Sequence, residues 1–171
     1  MSDFSCDVKE NIKRLETSLN VERNFDILQR EVVIAGRRAG FFFIDGFVQE
    51  DTVEKLIQFF YSLKESDMQS LDTFLEKGMP YTEVSRSSNI DNVITQFLSG
   101  VSIMTIDGFD ECLLIDCRTY PMRSVSEPWK DRVLRGSRDG FVETLVSNAA
   151  LLRRRIRDPR FSMELYGIGR R

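Results

Sequence analysis

The 171-residue chain has no histidine, three cysteines, four prolines and one tryptophan. The missing histidine removes the commonest general base and the commonest zinc ligand, which weakens every reading of the chain as an enzyme. Cys6, Cys112 and Cys117 are odd in number and lack metal-ligand spacing. They read as reduced thiols, at least one of them core filling, rather than as a disulfide framework. No run of about eighteen apolar residues occurs, so no helical membrane span is expected. The opening MSDFSCDVKENIKRL has no apolar core behind a basic end and does not read as a secretory signal. There is no Walker pattern, and no GxGxxG after a strand.

What is present is a globular composition with an uneven charge. Hydrophobic residues make up 42% and charged residues 30%, enough to bury a core. Residues 130–171 carry eleven Lys and Arg against five Asp and Glu, a net of +6. The other 129 residues carry thirteen against twenty-two, a net of −9. Such a split predicts two structural units, with the basic one facing an anionic surface or the acidic body itself.

Periodicity sets the elements. Asp7 to Leu19 reads as a helix with Val8, Ile12, Leu15 and Leu19 on one stripe. Phe25 to Ile34 and Arg38 to Ile44 read as an antiparallel hairpin about Ala35-Gly36-Arg37, its FFFI segment buried on both faces. A helix capped at Asp51 follows, then one from Ser66 to about Lys77. Tyr81 to Ser88 fits either a strand or a linker. Asn89 to Ser99 reads as a helix. Strands at 101–106 and 111–117 flank Asp107-Gly108, where a hairpin turn fits. The fold class is α/β (α+β): a mixed or antiparallel sheet flanked by helices. Residues 1–129 form this first subdomain.

Residues 130–140 read as a joint, and 141–171 as the opening helix and first strand (Arg160 to Tyr166) of a second, incomplete α/β subdomain. In the helix, Phe141, Leu145, Ala149, Leu152 and Ile156 share a face, and Arg153, Arg154, Arg155 and Arg157 crowd its cationic end. Asp158-Pro159 stops it. A lone helix and strand cannot bury both their faces.

Three constellations carry candidate chemistry. Asp45 and Asp107, each in an Ile-Asp-Gly-Phe segment, would form a carboxylate pair if their strands lay side by side; the favoured reading is two turns. Arg135, Gly136, Arg138, Asp139 and Gly140 could cradle an anion at a helix start; the favoured reading is a tight interdomain joint. The arginines 153–157 could touch phosphates, or could be a solvated or ion-paired helix end. No aromatics interleave them, which counts against single-stranded nucleic acid.

The run RGSRDGFVETL, then Asn148, then LLRRRIRDPRF, resembles the signature of the A-subunit family of bacterial spore germinant receptors. Ser137 stands where the family pattern has proline. Ile44-Asp45-Gly46 and Ile106-Asp107-Gly108 extend the resemblance toward the N-terminus. The resemblance implies the N-terminal region of a receptor subunit at the cytoplasmic face of the spore inner membrane. It implies B and C subunits as partners, and membrane attachment through a C-terminal region this chain lacks. It also implies nutrient-triggered germination without catalysis. No cofactor, metal or nucleic acid is expected. The candidate joint and interaction residues are Arg135, Gly136, Arg138, Asp139, Gly140, Phe141, Asn148, Arg153, Arg154 and Arg155. Alternatives are a small-molecule or ion-binding module at the subdomain junction, or an anion- or nucleic-acid-binding accessory protein.

Overall fold

A computed structural model describes residues 2–76, 83–119 and 141–169. Helix α1 spans Val8–Leu19 and starts where the Asp7 carboxylate accepts the Lys9 N–H. It ends at Asn20, whose φ of 51° is left-handed and whose N–H closes on the Glu16 and Thr17 carbonyls. Strands β1 (Ile27–Ile34) and β2 (Arg37–Ile44) form the expected antiparallel hairpin, in a register that pairs Ile27 with Ile44 and Ile34 with Arg37. Ala35 and Gly36 turn it with φ of 48° and 81°.

Helix α2 spans Glu50–Ser62 and α3 spans Leu71–Glu76. Both helices differ from the sequence expectation. Asp51 lies inside the first turn of α2, and the cap position is Gln49, with no side-chain cap bond. The single helix expected from Ser66 divides into a 3-10 turn at Glu65–Met68 and α3. Asp67 causes the break by accepting the Lys64 N–H at 2.9 Å, and Ser70 restarts the chain by accepting the Thr73 N–H at 3.1 Å. Strand β3 (Glu83–Ser87), α4 (Ile90–Leu98), β4 (Ser102–Ile106) and β5 (Cys112–Asp116) follow.

The sheet order is β1-β2-β4-β5-β3, and every pairing is antiparallel. Successive side chains alternate faces, so each strand feeds two cores. Phe41, Phe43, Met104, Ile106, Leu113 and Ile115 pack with α2 and α3 on one face. Phe42, Ile44, Ile103, Cys112 and Leu114 pack with α1 and α4 on the other. The FFFI segment is therefore buried on both sides, as its unbroken apolar run implies. Phe41 meets Phe43 and Phe60 at ring-centroid separations of 5.3 and 6.1 Å. Each such side chain contributes about 2–3 kcal/mol of burial. Gly40 is needed where α1 crosses: a Cβ there would stand 2.5 Å from Ile12.

Helix α5 spans Leu145–Arg155, shorter at its start than the glycine-opened helix the sequence suggests. The segment beyond it is extended but joins no ladder, so the strand expected from Arg160 to Tyr166 is not formed.

Candidate functional site

The two Ile-Asp-Gly-Phe segments sit at opposite ends of the sheet. Strands β2 and β4 are neighbours but antiparallel, with Ala39 opposite Ile106 and Phe42 opposite Ile103. Asp45 and Asp107 therefore cannot form a pair. Both are turns, with φ of 81° at Gly46 and 87° at Gly108. Each turn receives a different part of the chain. The second takes the N-terminal residues: Gly108 N–H donates to the Cys6 carbonyl at 2.8 Å, and Asp107 accepts the Val8 N–H at 3.3 Å. Arg37 donates to the Asp107 carbonyl at 3.0 Å and lies over the Phe109 ring. The first turn takes α5. A Cβ on Gly46 would lie 3.1 Å from both Ala150 and Val146.

Arg153 completes the seat of α5. It is fully buried, and so is Asp26 beside the start of β1. Its Nε and Nη2 donate to the two Asp26 carboxylate oxygens, each at 2.9 Å. Nη2 also donates to Asn24 Oδ1 at 2.8 Å, and Nη1 to the Phe161 carbonyl at 2.9 Å. The Phe161 ring lies 5.0 Å from the guanidinium carbon. Asn24 has no spare capacity. Its amide donates to the Leu19 and Asn20 carbonyls at 3.0 Å, and its oxygen also accepts the Met163 N–H at 2.8 Å. The extended segment is fastened along the same edge. Phe25 N–H donates to the Met163 carbonyl at 3.0 Å, Asn20 to Ser162 at 2.8 Å, and Arg23 to Glu164 at 2.7 Å. The Tyr166 hydroxyl and the Arg23 guanidinium together hold the Glu164 carboxyl below its ordinary range.

The seated face of α5 is thus half-buried Val146 with buried Ala149, Ala150 and Arg153, about a quarter turn from the stripe read in the sequence. Of that stripe Ala149 is buried, while Phe141, Leu145 and Ile156 are 66%, 51% and 40% exposed. Leu165, Tyr166 and Ile168 are exposed as well. Asn148 folds the chain ahead of the helix: its oxygen accepts the Val142 N–H and its amide donates to the Val142 carbonyl, both at 2.6 Å. Arg154 and Arg155 lie on the exposed side. Arg135, Gly136, Arg138, Asp139 and Gly140 fall outside the described residues.

Cys112 and Cys117 are buried in opposite cores, and burial pushes both thiols up. They share no site, as their odd spacing implies. Among the described residues no group of three or more potential ligands could hold a metal, and no helix is long and apolar enough to cross a membrane. A cleft of about 600 Å³ opens between the β1–β2 turn and the 3-10 turn, lined by Arg37, Glu65, Ser66 and Gln69 among others. It lies at the far end of β1 from the α5 seat.

The architecture is that of an A-subunit N-terminal domain of a spore germinant receptor. The solved N-terminal domain of the A subunit of the Bacillus megaterium receptor GerK3 superposes with a TM-score of 0.73 at 21% identity, over 99% of this chain and 62% of that one. The chain belongs to the family described as Bacillus/Clostridium GerA spore germination protein, whose model matches residues 13–171. Among curated relatives, stage V sporulation protein AF of Bacillus subtilis is 29% identical over 95% of this chain and 33% of its own length. Spore germination protein GerLA of Bacillus cereus is 28% identical over 85% of this chain and 30% of its own length. The chain thus spans about a third of the length of these relatives.

Proposed function

We propose that this chain is the cytoplasmic N-terminal part of a nutrient-germinant receptor A subunit. It acts through subunit contact and signal transmission, without catalysis. B and C subunits are the partners, and the site of action is the inner face of the spore inner membrane. Residues 1–129 are the first subdomain, 130–140 the joint, and 141–171 the opening of a second subdomain. The observation that carries this reading is the uncovered flank of α5. Leu145 and Ile156 stand exposed beside a helix whose other side is seated. Exposed large apolar side chains at both ends of one helix flank fit a surface that other protein covers. In this reading it is covered by further chain of the second subdomain, and the arginines 135 and 138 with Gly136 and Gly140 set the approach.

The test uses a full-length family protein whose N-terminal part is this sequence, expressed in spores lacking their own copy. Leu145→Glu with Ile156→Glu, and separately Gly140→Ala with Arg138→Ala, should slow nutrient-triggered loss of optical density at least tenfold while the protein stays at its normal level. Germination at the unaltered rate would overturn the reading. As a control, the two glutamates placed in the 171-residue chain should shift its stability by no more than about 0.5 kcal/mol, as surface changes do.

A further inference from the structure

Helix α5 is held to the first unit by little apolar surface. Its seated side chains are Val146, Ala149, Ala150 and Arg153, three of them small, and its leucines and Ile156 are partly or largely exposed. The long side chain on that face is an arginine, and it is fully buried. Its acceptors come from three places: Asp26 before β1, Asn24 after α1, and the Phe161 carbonyl beyond α5. The Asp26 carbonyl in turn accepts the Asp45 N–H at 2.7 Å, which ties the node to the turn on which α5 rests. One guanidinium thus joins a helix end, a strand start, a sheet turn and the extended segment. A planar fork that meets a carboxylate through two nitrogens fixes angle as well as distance.

We infer that Arg153 is a latch: it is the positioning residue that sets the seat of α5 and of residues 161–164 on the first unit, and loss of its fork frees both as one piece while the sheet stays folded. The physical basis is an asymmetry. The sheet has two aromatic-rich cores, and among the described residues α5 adds to them one small buried side chain, Ala150. The seat has one buried ion pair, and a buried charge stripped of its partner is strongly destabilising where it stands. The inference concerns this chain alone and stands apart from the receptor reading, since it is tested without spores.

The experiment is peptide-resolved amide hydrogen exchange on the 171-residue chain with Arg153→Met, Asp26→Asn and Arg153→Lys. With Arg153→Met and with Asp26→Asn, exchange over residues 145–155 and 161–164 should speed at least tenfold. Strands β2, β4 and β5 should stay within twofold. Arg153→Lys, which keeps the charge and loses the fork, should resemble Arg153→Met. Uniform acceleration across the sheet, global unfolding, or no acceleration would each overturn the latch. Full protection with lysine would also overturn it, because the fork would then not set the position.

Discussion

Gly46 and Gly36 share a φ of 81°, yet only Gly46 lies under α5. Replacing either with alanine imposes the same left-handed backbone on a side chain, at about 1–2 kcal/mol. At Gly36 the new methyl meets only a flexible Glu65 oxygen at 3.7 Å, so the cost stops there. At Gly46 it meets Ala150 Cβ and Val146 Cγ1 at 3.1 Å, with the Val146 carbonyl at 3.4 Å. Helix backbone cannot swing aside as a long side chain can, so overpacking adds about 1–3 kcal/mol. Gly36→Ala should therefore cost about 1–2 kcal/mol and Gly46→Ala about 2–5 kcal/mol. Urea unfolding at constant slope measures both. Adding Ala150→Gly to Gly46→Ala removes one of the two close contacts. A double-mutant cycle should then return a favourable coupling of about 1 kcal/mol. Equal losses for the two alanines, with no coupling to Ala150, would show that α5 does not rest on this turn and would refute the packing argument.

Thr105 is buried with no partner for its hydroxyl among the described residues, so Thr105→Val should raise stability by about 1 kcal/mol, seen as a higher urea midpoint. Only Cys6 is exposed, so a thiol reagent should add one mass label to the native chain and three after denaturation. The Arg118 guanidinium bonded to its carboxylate holds Asp116 below its ordinary value. A depressed folded pKa contributes stability that is present above the unfolded value of about 4 and lost as pH falls through the folded one. The stability difference between the native chain and Arg118→Gln should thus be flat from about pH 5 to 7 and shrink below about pH 4.

Much of the architecture is legible because local chemistry and burial agree. The FFFI run, the Ala-Gly turn and the two Asp-Gly turns each act where they stand in the chain. The strand order is less legible. Strand β3 carries Val84 among Glu83, Ser85, Arg86 and Ser87, so its sheet edge position leaves no apolar alternation to read. The break before α3 turns on Asp67 reaching back to Lys64, a bond that competes with a helix the same residues would otherwise propagate. The α5 seat is the largest difference. Three arginines of α5 follow one another with near-equal claims to solvent, and of these only Arg153 falls on the face of Val146 and Ala150. Its partners Asn24 and Asp26 lie 129 and 127 residues away. The one signal available was the small-residue patch at Ala149 and Ala150, which marks a close approach better than the leucines do.

The N-terminal residues are pinned at the Asp107 end of the sheet, and the extended segment after α5 at the Asn24 and Asp45 end. A tug transmitted between these two attachments would run lengthwise down β2 and β4. Their cross-links lie perpendicular to that direction. They would therefore share the load together instead of parting one after another, so the slab should carry displacement from pole to pole as a stiff plate.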